Sequence, residues 1–172
     1  IIACQPASPD IRVIPQPLHV KRSDGSFTLK PDTKILTAPG DENLATAAEY
    51  LAKLLGASTG FEPARQEFAG PAPEKQGNAI YFLKDAAVGN DEGYVLEVKR
   101  NAILIRSKSA AGAFYAVQTL RQLFPPEINS PTAITRALRA DVTPPVVGLV
   151  STVCKTTAAG VSSNLRRSSI SS

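Results

Sequence analysis

Residues Glu92–Pro126 read EGYVLEVKRNAILIRSKSAAGAFYAVQTLRQLFPP, and one change of period inside that stretch decides the fold. Tyr94, Leu96 and Val98 alternate with Val95, Glu97 and Lys99, as in a half-buried strand. Arg100-Asn101 is polar and suits a tight turn, because Asn tolerates positive φ. Ile103 and Ile105 alternate with Leu104 and Arg106 in a second strand. The period then lengthens. Ser109 stands where a helix N-cap belongs. Ala113, Val117, Leu120 and Phe124 follow at i, i+4, i+7 and i+11, with Phe114 beside them, so the helix has one apolar face. Pro125-Pro126 ends it. A hairpin therefore returns a helix onto one face of a sheet.

Working back, Asp41 is placed to cap an earlier helix. Leu44, Ala47, Ala48, Leu51, Leu54 and Leu55 make its apolar stripe, and Gly56 stands where a glycine would end it. Further strands are expected at His19–Lys21, Ser26–Leu29, Thr33–Thr37 and 61–68, the last interrupted by Pro63, with turns at Ser23-Asp24-Gly25 and Lys30-Pro31-Asp32. Asn78–Leu83 (NAIYFL) is apolar throughout and reads as a central strand buried on both faces. Residues 70–77, with Pro71 and Pro73, read as a loop. The fold class is α+β: a mixed, mainly antiparallel sheet with two helices on one face and an irregular C-terminal tail.

The chain has 172 residues, enough for one ordinary domain, and a net charge of +4. That charge is local. Residues 1–132 hold 14 Lys and Arg against 14 Asp and Glu; residues 133–172 hold five basic residues and one acid, Asp141. The body has no polyanion footprint, and no nucleic-acid partner is expected. All ten aromatics lie between Phe27 and Phe124. The Ser- and Thr-rich remainder, broken by Pro144-Pro145 and Gly160, reads as irregular, with one strand drawn from Val146–Val153. The organisation is thus a leader and tether at 1–12, a body at 13–131 and a tail at 132–172.

Ile1-Ile2-Ala3-Cys4 has the order aliphatic, any, small, Cys. It resembles the end of a bacterial lipoprotein signal, which makes Cys4 a lipidation candidate and the protein an exported lipoprotein of the periplasm or cell surface, membrane-anchored through that lipid. Cys4 and Cys154 lie too far apart in sequence, with only His19 besides, for a metal-ligand spacing. His19 alone does not make a triad. Paired carboxylates are what glycoside cleavage needs. The adjacent pairs are Asp41-Glu42 at a helix start and Asp91-Glu92, which reads as a solvated turn. No catalytic residue, metal ligand or cofactor is therefore assigned.

Several blocks together resemble a known family. They are Val13-Ile14-Pro15-Gln16-Pro17, Gly25-Ser26-Phe27-Thr28-Leu29, Glu92-Gly93-Tyr94-Val95-Leu96, and Gly112-Ala113-Phe114-Tyr115-Ala116-Val117-Gln118-Thr119-Leu120-Arg121-Gln122-Leu123-Phe124-Pro125. They resemble the small N-terminal, non-catalytic domain of family 20 glycoside hydrolases, the β-N-acetylhexosaminidases, over residues 13–131. The resemblance implies that the bare face or edge of this domain packs on a catalytic (β/α)₈ barrel in the same chain. That barrel would carry an Asp-Glu pair: the Glu acts as general acid, and the Asp orients the substrate's own acetamido group, whose oxygen attacks the anomeric carbon. Those residues would lie downstream of this segment.

A first barrel strand of the form R-G-x-x-L-D-x-x-R is implied next. What stands there is Val147-Gly148-Leu149-Val150-Ser151-Thr152-Val153-Cys154-Lys155, with Val147 for the Arg and Thr152 for the Asp. The tail is accordingly expected to be a truncated or out-of-frame remnant of the barrel's start. The expected function is the accessory domain of an exported bacterial β-N-acetylhexosaminidase acting on terminal N-acetylhexosamine of glycans, without activity of its own. The alternative is a stand-alone glycan-binding or interaction module. Such modules expose aromatic platforms, whereas here there is no Trp and the Tyr and Phe fall mostly on core-facing positions.

Overall fold

A computed structural model of the chain describes residues 13–14, 16–23, 27–68, 77–129 and 146–151. The elements in order are β1 (His19–Ser23), β2 (Lys34–Thr37), α1 (Glu42–Thr59), β3 (Ala64–Glu67), β4 (Ala79–Lys84), β5 (Tyr94–Val98), β6 (Ala102–Ser107), α2 (Ala110–Leu123), a 3-10 turn (Pro126–Asn129) and β7 (Val146–Ser151). One sheet holds all seven strands in the order β1-β7-β5-β6-β4-β2-β3. It is mixed, as expected, with a larger parallel share than a mainly antiparallel sheet. β2 runs parallel to β3 and β4, and β4 to β6. β5 is antiparallel to β6 and β7, and β1 to β7.

The hairpin forms where the sequence places it. Lys99 N–H donates to Ala102 C=O at 2.7 Å across the Arg100-Asn101 turn. β6 lies between β5 and β4, so the NAILI and NAIYFL runs are central and covered on both faces. On one face Ile35, Ile80, Phe82, Tyr94, Leu96, Val98, Ile103 and Ile105 meet Leu44, Leu51 and Leu55 of α1 and Ala113, Val117 and Leu120 of α2. The opposite face carries a second buried cluster, Leu36, Ala79, Tyr81, Ala102 and Leu104. Burial on this scale, at roughly 1.5–3 kcal/mol per large apolar side chain, is the main force holding the layers together.

Both helices start on the residues the sequence marks. Asp41 Oδ1 accepts from Leu44 N–H at 3.2 Å, and Ser109 Oγ accepts from Ala111 N–H at 3.1 Å. The end of α1 differs from the expectation. Gly56 lies inside the helix, which runs on to Thr59 and stops at Gly60. Gly60 takes the left-handed conformation, φ +78°, and donates to the Gly56 carbonyl at 3.0 Å. The hydroxyls of Ser58 and Thr59 donate back to the carbonyls of Leu54 and Leu55, one turn earlier in the helix.

Residues 27–29 do not form the expected strand. Phe27 and Leu29 are buried as core plugs, and the Thr28 carbonyl accepts from the Asn78 side chain at 2.6 Å rather than from a strand neighbour. At the other end of α2, the Gln122 amide clasps the backbone of Ile14. Ile14 N–H donates to Oε1 at 2.9 Å, and Nε2 donates to the Ile14 carbonyl at 2.8 Å. The strand expected from Val146–Val153 appears as β7. The remainder of the tail, the leader with Cys4, the Ser23-Asp24-Gly25 turn beyond Ser23, and the loop at 70–76 lie outside the described residues.

Candidate functional site

Two features stand out: a glycine joint between sheet and helix, and an aromatic groove outside the helices. At the joint, Asp91-Glu92 forms the expected turn before β5. Its backbone is used structurally. The Asp91 carbonyl accepts from Gly112 N–H at 3.2 Å and from the Ser109 hydroxyl. The Asp91 carboxylate lies 3.0 Å from Lys108 Nζ at the surface. Gly93 and Gly112 then meet backbone to backbone. A Cβ on Gly112 would stand closer than 3.0 Å to the Gly93 carbonyl oxygen and 3.1 Å from Ser107 Cβ. Two turns further along α2, the Tyr94 hydroxyl and Thr119 Oγ1 are hydrogen-bonded at 2.5 Å in the core.

The groove lies outside the first turns of α1 and α2. Both helices leave the same end of the parallel strands β2 and β6, so their N-terminal halves lie side by side. A cavity of about 410 Å³ opens there, lined by Asn43, Thr46, Tyr50, Ala111, Phe114 and Tyr115 among others. The Phe114 ring lies 5.4 Å from that of Tyr50 and 6.2 Å from that of Tyr115. Phe114 is 43% exposed, so the placement of the aromatics on the core side fails at this residue. The signal that could have found it is in the spacing. Phe114 stands one residue off the Ala113, Val117, Leu120 stripe, at the edge where α2 meets α1. Gln118 Nε2 donates to the Tyr50 hydroxyl at 3.2 Å and fixes that ring from below.

The remaining candidates do not converge. His19 is exposed on β1. Asp41 caps α1 and pairs with Lys84 at 3.2 Å. Among the described residues no three of His, Cys, Asp and Glu gather in a metal-binding group, and no helix is long and apolar enough to cross a membrane. Cys4 and Cys154 lie outside the described residues. Glu49 is held below the usual carboxylate range, first by its hydrogen bond to Lys53 and then by the charges of Lys53 and Arg65. Burial pushes the Tyr81 phenol above its ordinary value.

Comparison with known proteins accounts for the arrangement. The family model "Glycosyl hydrolase family 20, domain 2" matches residues 10–140. A β-hexosaminidase of Porphyromonas gingivalis (strain ATCC BAA-308 / W83) is 40% identical over 121 residues, which are 70% of this chain and 15% of that protein. A β-N-acetylhexosaminidase of Cellulomonas fimi is 32% identical over 114 residues, 66% of this chain and 22% of that one. The solved structure of the GH20 β-N-acetylhexosaminidase from Streptomyces coelicolor A3(2) superposes with a TM-score of 0.61 at 27% identity, covering 81% of this chain and 25% of that one. The chain thus spans about a quarter or less of each of these relatives.

Proposed function

Because this chain belongs to glycosyl hydrolase family 20, as its domain 2, we propose that it serves as the non-catalytic accessory domain of an exported bacterial β-N-acetylhexosaminidase. The observation that carries the reading is the joint extent of the two likenesses. The domain 2 model spans 131 residues, 10–140, and the helix-backed sheet matches the Streptomyces coelicolor fold across 81% of the chain, yet accounts for 25% of that enzyme. The substrate class proposed is glycans ending in N-acetylhexosamine, and the hydrolytic residues belong to the rest of the parent polypeptide, a catalytic barrel. The Asp-Glu turns of this segment serve folding. Asp41 caps α1, and the Asp91 carbonyl anchors α2.

The test is an assay on a chromogenic N-acetyl-β-glucosaminide. The purified 172-residue chain should release no more product than a heat-killed control, whereas the full-length protein that carries this segment should turn over. Activity in the isolated chain overturns the assignment of a non-catalytic role.

Export through lipidated Cys4 is part of the same proposal, supported by the order Ile1-Ile2-Ala3-Cys4. Growth of a producing bacterium on radiolabelled palmitate should label the full-length protein, and Cys4→Ser should abolish the label. The view of residues 132–172 as a barrel remnant is tested by reading the DNA downstream of residue 132 in all three frames.

A further inference from the structure

Resting on the lipidation of Cys4 proposed above, we infer that Ile14, Leu18 and Val20, at the outer edge of the sheet, form a strip that lies against the surface of an anionic phospholipid bilayer. Among the described residues four large apolar side chains are exposed: Ile14 at 82%, Leu18 at 58%, Val20 at 43% and Phe114. Three of the four fall within seven consecutive residues. Single exposed aliphatics are ordinary on a protein surface; a cluster of them marks a contact.

The fold leaves this strip uncovered. β1 is the outermost strand, paired on one side to β7 and on the other to no strand among the described residues. α1 packs on β2, β3 and β4, and α2 on β5 and β6, so the helix layer stops short of β1. His19, Val20 and Lys21 are exposed in succession, so both faces of the strand are open. Leu18 and Val20 stand two apart and share one face, while His19 and Lys21 take the other. Gln122 holds both backbone groups of Ile14, which fixes the point from which that exposed side chain projects.

The occupant follows from position and charge. Ile14 lies ten positions after Cys4, so a lipid there holds this strip near the membrane at the high local concentration that linkage provides. Residues 13–23 contain Lys21 and Arg22 and no acid, the nearest being Asp10 and Asp24 on either side in sequence. Aliphatic side chains with an adjoining cation suit the interface of an anionic bilayer. The apolar groups enter the acyl boundary, and the Lys21 ammonium reaches the phosphates on its long stem. The lipid supplies attachment, and the strip supplies orientation, because it selects which edge of the sheet faces the membrane.

The experiment places the full-length lipidated protein in phosphatidylethanolamine–phosphatidylglycerol vesicles containing a phospholipid with a diazirine in the upper part of its acyl chain. After irradiation and trypsin digestion, the peptide 13–21, bounded by cleavage after Arg12 and Lys21, should carry the lipid adduct. Peptides from β3, six strand spacings or roughly 30 Å away at the other edge, should not. Leu18→Ser combined with Val20→Ser should lower the adduct at least about five-fold and leave the unfolding midpoint of the 172-residue chain unchanged. Lys21→Glu, and vesicles of phosphatidylcholine alone, should each lower it as well. No adduct on 13–21, equal adducts on β3, or an undiminished adduct in the double variant overturns the inference; the strip then faces solvent or is covered by other polypeptide. Equal yield in phosphatidylcholine overturns the preference for anionic lipid. Protein that incorporates palmitate but gives no adduct on 13–21 sinks the membrane strip alone. Absent palmitate sinks the anchor and this inference with it, while turnover of the chromogenic substrate reports on the hexosaminidase reading separately.

Discussion

Gly93 and Gly112 meet so closely that α2 rests on the backbone entering β5, with the Gly93 carbonyl in the space a side chain at 112 would need. Helix propensity alone favours Ala over Gly by about 1 kcal/mol. Contact with backbone works the other way, and backbone does not swing aside. Gly112→Ala should therefore destabilise the chain by about 3 kcal/mol, read from the urea midpoint. Gly89→Ala, with nothing within 4 Å of its Cβ, is the control and should change stability by less than about 0.5 kcal/mol.

Ser109 has two bonds to lose. Its hydroxyl caps α2 and also donates to the Asp91 carbonyl. Ser109→Ala should cost about 1–2 kcal/mol. Ser109→Asp keeps the capping acceptor but not the donor to Asp91, so it should recover part of that loss in the same denaturation measurement.

Tyr94 and Thr119 give an asymmetric pair. Thr119→Val strands a phenol in the core and should cost about 1–3 kcal/mol. Tyr94→Phe removes the polar group along with its need and should cost about 1 kcal/mol. The double substitution should cost less than the sum of the two, and additivity in the cycle would show that the hydroxyls do not interact.

Tyr81 sets an alkaline limit. Its phenol is held neutral by burial, so its folded pKa is above that of the unfolded chain. The unfolded chain then loses a proton first as pH rises. Its contribution is complete below about pH 10, the ordinary tyrosine value, and is lost as pH climbs from there through the folded pKa. Tyr81→Phe should flatten the fall in unfolding midpoint between roughly pH 9.5 and 11. An unchanged slope would assign that fall to other groups.

The parts of the fold that were legible in the sequence are those specified by neighbours in sequence. The Arg100-Asn101 turn, the caps at Asp41 and Ser109 and the stop at Pro125 each rest on residues within one turn of the chain, and all stand as read. What was not legible depends on residues far apart. Gly56 carries the sequence mark of a helix end, but Glu62 folds back over it, leaving 3.1 Å between a Cβ there and Glu62 Cβ, and Gly60 supplies the left-handed turn instead. Phe27 and Leu29 alternate like a strand yet serve as plugs, because Asn78 takes the Thr28 carbonyl. Phe114 reads from the sequence only as a neighbour of the apolar face, because a period cannot tell the edge of a stripe from its middle. Only the position of α1 makes that edge the wall of a groove.

The Gln122 clasp on Ile14 makes this point of α2 a mechanical hitching post. Both backbone groups of Ile14 are held by one side chain, so tension on any residue upstream reaches the last turn of the helix before it reaches the sheet. Ile14 lies ten positions after Cys4; fully drawn out, that length spans at most about 35 Å. A lipid on Cys4 would thereby leash the domain within that radius of the bilayer, with the helix pair close to the fastening end.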